Sequence, residues 1–337
     1  MIFPHLQTFS KTVCAFFVLA VLIFDGPAAN CSPESEGQDA PPPTPAAAPW
    51  DRYHSYLNEN INKPLIWFDN FFGDPRLAEE DLPTSFIRWR NAIRFTEGEG
   101  VTFPIRIRAN IKLPKASKRL RLVVTGENED DLQAPRTDPS VTPGLTAQQD
   151  NNTSNVGLRY TLYKTLREIL HLGGGLRLST PFEYYVRAYY RRFLHIGAKN
   201  IITFTETGFW HSDEKLGETT RIDFNRLLSQ SLSNRISVFG TYSEVSEGVE
   251  WGVEESLFKK LTPKTAISFD LGMYGDTRPH TEINNYRISS RFRANIFRPW
   301  LFFELEPEVT FPLDEFGRWQ TVGAFTFVLE IQFLTDL

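Results

Sequence analysis

Apolar and polar residues alternate most regularly between positions 101 and 113, in the stretch VTFPIRIRANIKL. Every second residue from Val101 onward is apolar, and threonine, proline, arginine, asparagine and lysine occupy the positions between. A period of two places these two sets on opposite faces of an extended strand. Because a membrane barrel presents one face to lipid and the other to a polar lumen, arginines at successive polar positions favour such a barrel.

The same alternation recurs in thirteen further stretches. They are residues 85–96, 119–126, 156–163, 170–178, 184–192, 200–210, 219–228, 235–245, 249–258, 265–274, 286–297, 301–311 and 318–333. Fourteen strands is an even number, as in bacterial single-chain barrels, and twelve is the alternative because 119–126 and 170–178 are short. Short connections alternate with longer, more acidic ones at 127–154, 211–218, 275–285 and 312–317. The sequence therefore predicts an all-β, antiparallel, up-and-down transmembrane barrel over residues 84–337.

The end of the chain supports this interpretation. Apolar residues alternate strictly from Phe325 to Phe333, and Leu337 falls in the same register. This pattern is similar to the C-terminal recognition strand of outer-membrane barrels, which indicates the barrel-assembly machinery as a partner during biogenesis. A soluble lipocalin-like or sandwich protein is the alternative fold.

The first 29 residues have the organisation of a cleaved export signal. Lys11 precedes a short apolar run at 13–24, and small residues follow up to Ala29. An uncleaved anchor is the alternative. Residues 30–49 are rich in proline and alanine and predict a disordered linker. After cleavage Cys31 is the only cysteine, so the mature chain has no intramolecular disulfide, and lipidation of Cys31 is a minority interpretation.

Residues 50–83 differ from this linker by their aromatic content. Their spacing predicts one or two short amphipathic helices, interrupted by Pro64 and ending near residues 73–75. Such a segment suits a plug in the lumen or a docking element at the periplasmic mouth. A helix at the membrane interface is the alternative.

Composition agrees with an exported barrel. The formal net charge is −5, from 36 basic and 41 acidic residues, which gives no indication of a nucleic-acid partner. Aromatic residues make up 14% of the chain, yet its mean hydropathy is mildly polar at −0.30. A helical membrane protein is far more apolar, whereas a barrel with half of each strand facing water is not.

The polar phase of several strands carries charges that predict the lumen lining. These residues are Arg88, Arg90, Arg94, Arg106, Arg108, Lys112, Arg187, Arg191, Arg287, Arg291, Arg293, Glu304, Glu306 and Glu308. Facing lipid, each arginine or lysine would cost about 2–4 kcal/mol near the midplane, so we expect them to face inward. Such a wall either attracts small ions and anionic solutes or fills the barrel with rigid Arg–Glu pairs.

Motifs for catalysis are missing from the sequence. It has no Cys-x-x-Cys-His, no Gly-x-Ser-x-Gly and no His-Glu-x-x-His, so we predict no catalytic residue, metal site or cofactor. His171 or His211 beside nearby serines is the one arrangement that suggests an outer-membrane lipid enzyme. No nucleophile–base spacing supports it.

The block WFDNFFGDPR, the turn EGEG and the stretch VTFPIRIRANIKLPKASKRLRLVV resemble a group of uncharacterised, porin-like outer-membrane proteins of Gram-negative bacteria. The resemblance spans residues 65–130 and implies fold and location without an activity. We therefore expect an outer-membrane channel or transporter for small ions or solutes, with its N-terminal segment in the periplasm or lumen. A structural or assembly barrel, including a sheath around an electron carrier, is the alternative, and the oligomeric state is left open.

Overall fold

The computed structural model describes residues 63–72, 85–113, 117, 119–125, 155–165, 167–178, 182–213, 215–246, 248–278, 281–314 and 316–335. The predictions for the signal peptide at 1–29, the linker at 30–49, Cys31 and the loop at 127–154 lie outside these residues. So do residues 50–62 and 73–83 of the predicted helical segment.

The described elements are one helix and fifteen strands. Helix α1 is Lys63–Phe72, and the strands are β1 Ser85–Thr96, β2 Gly100–Thr102, β3 Ile105–Lys112, β4 Leu120–Thr125, β5 Asn155–Lys164, β6 Glu168–Arg177, β7 Glu183–Ile196, β8 Asn200–His211, β9 Lys215–Ser229, β10 Leu232–Ser243, β11 Val249–Thr262, β12 Thr265–Asp276, β13 Glu282–Asn295, β14 Leu301–Pro312 and β15 Val322–Thr335. No helix in this part of the chain is long and apolar enough to cross a membrane.

Strands β2 and β3 are two pieces of one wall strand. Pro104 separates them because proline has no amide hydrogen to donate, although its carbonyl oxygen still accepts a hydrogen bond from the Ala92 amide at 2.9 Å. Both pieces pair with β1. The wall therefore has fourteen strands, which confirms the predicted number over the alternative of twelve.

All neighbouring strands are antiparallel, and the barrel closes by pairing β1 with β15. The pairing runs from Ser85 opposite Thr335 to Thr96 opposite Ala324. We call the end of the barrel where β1 begins and β15 ends the terminal end, and the opposite end the loop end. The turns at 197–199, 230–231 and 263–264 also lie at the terminal end.

Several boundaries differ from the sequence prediction, and β7, β11 and β13 each extend four residues beyond the predicted stretch at one end. Two differences change a connection. The connection expected at 211–218 is only residues 212–214, because β9 already begins at Lys215. The last strand begins at Val322 rather than at 318, because residues 313–319 form a tight loop. In that loop Gly317 has a φ of 71°, and the Asp314 carboxylate accepts hydrogen bonds from the backbone amides of Phe316 and Arg318 at 2.9 and 2.8 Å.

A pair of facing glycines allows an aromatic side chain to cross the inner wall. Gly157 of β5 lies opposite Gly175 of β6, and the hydroxyl end of Tyr185 lies close to both. A Cβ atom on Gly175 would fall 2.2 Å from the carbonyl oxygen of Val156 and 2.8 Å from the Tyr185 hydroxyl. Neither position accepts a side chain without movement of the wall.

The outer face of the barrel is apolar and the inner face is charged, which is the reverse of a soluble barrel. Large apolar side chains are exposed on the outer face, such as Trp89 at 41% and Phe95 at 49%. Charged side chains are buried in the opposite phase, and Arg293 and Glu304 are both 0% exposed. A lipocalin-like barrel or a sandwich would bury its apolar phase instead, so the distribution excludes both alternatives.

Candidate functional site

Helix α1 lies inside the barrel near its terminal end. Its residues pack against the buried phase of four wall strands: Leu65 contacts Ile201 and Leu227, Phe68 and Phe72 contact Phe258, and Phe71 contacts Phe302. These partners belong to β8, β9, β11 and β14. A helix that touches the inner face of so many strands is enclosed by them, and its role as a plug stays a prediction.

Pro64 lies at the start of this helix, and any predicted helix on its N-terminal side falls outside the described residues. The helix begins at Lys63, so Pro64 lies in the first turn, where a missing amide hydrogen removes no helical hydrogen bond. The helix ends at Phe72, directly before Gly73, as the sequence predicted.

Two arginines of the wall hold the helix. The Arg235 guanidinium of β10 donates to the Asp69 carboxylate at 2.5 Å and to the Asn225 side-chain oxygen at 2.6 Å. Arg291 of β13 donates to the main-chain oxygen of Phe72 at 3.2 Å and lies 4.7 Å from that ring's centroid. A cation at the last carbonyl groups of a helix also offsets the negative end of its dipole.

A buried ion-pair cluster joins β13, β14, β15 and β1. Arg293 donates to Glu304 and, at 2.8 Å, to Glu330, while Arg90 donates to Glu304 at 2.7 Å. The side chains of Arg293, Glu304 and Glu330 are at most 1% exposed. Two arginines and two glutamates thus balance one another's charge.

Glu330 is the member of this cluster that the sequence analysis missed. It occupies the polar phase of the last strand, between the outward-facing Leu329 and Ile331. The signal that could have identified it is a single carboxylate in the phase opposite to the apolar residues.

A second cluster lies nearer the loop end. Glu308 accepts hydrogen bonds from Arg94 at 2.9 Å and makes an ion pair with Arg287 at 2.7 Å, and Glu306 lies 3.8 Å from Arg287. The structure therefore brings together predicted residues from β1, β13 and β14.

A third cluster, on β9 to β12, was not predicted. Arg221 contacts Asp223 at 3.0 Å and Glu254 at 3.4 Å, and the Tyr274 hydroxyl donates to Glu254 at 2.8 Å. Arg221, Asp223 and Asn225 alternate with apolar residues in the sequence. That phase was the available signal, although each residue alone is unremarkable.

Basic residues dominate the inner face on the other side of the barrel. In strand register Arg88 lies opposite Arg108, Arg90 opposite Arg106, and Arg121 opposite both Lys112 and Arg159. We call these seven residues of β1, β3, β4 and β5 the basic strip; all are half-buried. Like charges directly opposite each other on neighbouring strands are destabilising, so this register is stable only with anionic groups nearby, whether from the chain or from solvent.

Asn110 lies within the basic strip, between Arg108 and Lys112 on β3. It is 3% exposed, and among the described residues neither its side-chain oxygen nor its side-chain nitrogen has a hydrogen-bond partner. A buried amide in this condition is unusual, since most buried polar side chains are paired.

Predicted residues Arg187 and Arg191 lie on β7, away from the acidic clusters. Each guanidinium sits over a tyrosine two residues earlier, Arg187 at 5.5 Å from the Tyr185 centroid and Arg191 at 5.0 Å from that of Tyr189. These are cation–π distances.

The two histidines considered for catalysis are buried in the inward phase of β6 and β8, with β7 between them. His171 stacks on Tyr189 with centroids 5.9 Å apart, and His211 stacks on Phe209 at 4.7 Å. Among the residues that the structure describes, no group of three or more His, Cys, Asp or Glu side chains is arranged to hold a metal ion.

All the predicted lining residues occupy described strands, in the phase opposite to the exposed apolar residues. Arg90, Arg94, Arg287, Arg293 and the three glutamates meet in ion pairs. Whether this inner face borders a water-filled passage stays a prediction.

Comparisons with known proteins give architectural likeness only. No family model matches the chain, and no curated protein matches it. Similar solved structures include the KdgM porin in complex with disordered oligogalacturonate, at 6% identity, 74% of this chain, 99% of that chain and a TM-score of 0.38. The outer membrane channel DcaP of Acinetobacter baumannii is 8% identical over 74% and 96% of the two chains, with a TM-score of 0.44. Pseudomonas aeruginosa OpdK with vanillate is 9% identical over 75% and 98%, with a TM-score of 0.41.

Proposed function

We propose that this chain is an outer-membrane channel for small anionic solutes, in which helix α1 narrows the lumen at the terminal end. The exposed apolar outer face and the charged inner face support a position in a membrane. The predicted export signal favours the outer membrane, with the terminal end toward the periplasm. The basic strip carries the proposal.

The anion preference follows from the register of the basic strip. Three rows of like-charged neighbours face one another across β1, β3, β4 and β5. The rows place basic side chains at several successive depths of the inner face, and arginine and lysine side chains lining a pore favour anions. The amide of Asn110 supplies an additional donor among these cations.

We expect the other half of the inner face to contribute little to passage. Helix α1 and the ion pairs of Arg235, Arg293 and Glu304 occupy the side formed by β8 to β14. The route that we propose therefore runs along the basic strip, opposite the helix. The basic residues of β3, β4 and β5 along this route set the selectivity, whereas Arg90 of β1 already pairs with Glu304 and Glu330.

Planar-bilayer recordings in a salt gradient test this proposal. The wild-type protein should conduct with a reversal potential that favours anions. Arg106→Glu combined with Arg108→Glu should shift the reversal potential toward cations, while the barrel still inserts. A control with the same change in charge is Lys264→Glu combined with Arg298→Glu, because both residues are exposed in turns; it should shift the potential far less.

A sealed scaffold is the competing function, and the buried ion pairs together with the enclosed helix favour it. In that case neither the wild type nor a variant with a loosened helix, Asp69→Ala, conducts. Absence of conductance from both proteins, with insertion verified, would reject the channel.

A further inference from the structure

Charged side chains on the outer face are confined to one half of the described barrel. In the outward phase they are Glu168, Arg192, Glu206, Glu218, Arg226, Glu255 and Lys259. All belong to β6 to β11. The outward phase of β1 to β5 and of β12 to β15 contains no Asp, Glu, Lys or Arg among the described residues.

Two of these carboxylates lie at mid-strand. Glu206 is six residues from Asn200 and five from His211, the ends of β8, and Glu255 is similarly central in β11. A strand crosses the hydrocarbon in about 9–11 residues, so both positions fall within it if the barrel spans a membrane as proposed above. Ionisable side chains at this depth are rare and mark functional surfaces.

Each central carboxylate has a neutral donor on the neighbouring strand. Glu206 accepts from the Thr220 hydroxyl at 2.8 Å, and Glu255 accepts from the Asn234 amide at 2.9 Å. One neutral hydrogen bond is little compensation for a carboxylate against lipid tails. A protein surface that supplies further donors would compensate it better.

The same face also offers positive charges and small residues. Arg226 and Lys259 each lie three residues from the terminal end of their strands, β9 and β11. Gly240 lies opposite Thr220 in register, and Gly208 is two residues from Glu206; an added Cβ on Gly208 would meet no atom within 4 Å. Small residues allow two membrane surfaces to approach closely.

We infer that the outer face of β8 to β11 is an interface with a second copy of this chain. Copies of a barrel insert in the same orientation, so residues of similar depth meet across their contact. Glu255 is level with Phe224 through Ile236 in register, and Arg226 lies two residues nearer the terminal end, about 7 Å along the strand. Arg226 of one copy therefore lies within side-chain reach of the depth at which the other copy presents Glu255, which makes this part of the face self-complementary. Burial against a second copy removes Glu206 and Glu255 from lipid.

The mass of the full-length exported protein in mild detergent and in lipid nanodiscs tests this inference. The wild type should be a dimer or larger. Glu206→Leu combined with Glu255→Leu should reduce the oligomeric fraction at least tenfold at the same concentration. The matched control is Asn91→Leu combined with Ser290→Leu, two outward polar positions on the uncharged half, which should leave the mass unchanged.

Three results would overturn the inference. They are a monomeric wild type in both media, an oligomer that the Glu206 and Glu255 double variant retains, and a double variant that unfolds at higher urea concentration with unchanged mass. The third is the result expected when both carboxylates face lipid, because leucine is then the better residue. None of these readouts depends on conductance, so failure of the channel proposal would be seen separately.

Discussion

Removing the carboxylate of Asp69 should release helix α1 from the wall. In the Asp69→Ala variant the Arg235 guanidinium loses a partner 2.5 Å away, and both side chains are almost fully buried, at 1% and 4% exposure. Breaking one partner of a buried pair costs about 3–5 kcal/mol. Because Arg235 keeps its hydrogen bond to Asn225, we expect the lower end of this range.

That free energy translates directly into helix opening. With about 1.36 kcal/mol for each factor of ten, a loss of ~3 kcal/mol raises the open population of α1 roughly 100-fold. Hydrogen–deuterium exchange of the amides in Lys63–Phe72 measures this population, since exchange there requires local opening. Exchange in β8 and β13 should stay unchanged, because their amides are held by the barrel ladder.

Two further variants make the experiment decisive. Asn70→Ala changes a half-buried neighbour on the same helix and should alter exchange less than threefold. Asp69→Asn keeps an oxygen that accepts from Arg235 and should lie between wild type and Asp69→Ala. Exchange of the helix amides in Asp69→Ala within threefold of wild type would refute the assignment of Arg235 as the anchor.

Three other predictions concern an ion pair, a glycine and a loop of the barrel. Glu330→Gln should lower the free energy of unfolding in urea by about 3 kcal/mol because it breaks a buried pair. Glu183→Gln, at a partly exposed pair, should lower it by about 1 kcal/mol or less. Equal losses would contradict the assignment of a buried cluster around Glu330. Gly175→Ala should reduce the yield of folded barrel on a heat-modifiability gel, while Gly173→Ala, whose added Cβ meets nothing closer than 3.5 Å, should fold normally. Hydrogen bonds from the backbone amide of residue 318 and its neighbours lower the pKa of Asp314 below its ordinary value of 3.8, so the loop's stabilisation is complete above that pH and is lost as the pH falls through the lower, folded pKa. The protection factors of the amides in residues 316–318, which compare the observed exchange rate with the intrinsic rate at the same pH, should therefore stay high at pH 4 and fall on further acidification. A fall already at pH 5 would contradict this sign.

The fold was accessible from the sequence because its signal is periodic. An apolar residue at every second position forces one face of each strand outward, and fourteen such stretches with short connections leave little choice except closure. Boundaries were less accurate. Polar residues such as Lys215 extend a strand at its exposed end, where alternation no longer distinguishes strand from loop.

The partners of each charge were not accessible in the same way. Periodicity indicates that Arg235 faces inward, but its partner Asp69 is 166 residues away on a helix. Likewise, Arg90 of β1 and Glu304 of β14 come close only because the barrel closes through β15, which pairs with both strands. Such contacts depend on the stagger of the strands and on the docking of α1, which no local sequence pattern predicts.

The closure between β1 and β15 has a consequence for biogenesis. It joins the first wall strand to the last, so both strand edges stay open to other chains until the final residues arrive. Closure then selects its own alignment, because Arg90 lies opposite Glu330, which also binds Arg293. A slip of one residue would turn Glu330 outward and leave Arg293 with one carboxylate fewer. The ion pairs of Arg90, Glu330 and Arg293 therefore favour the native register when the last strand pairs and closes the barrel.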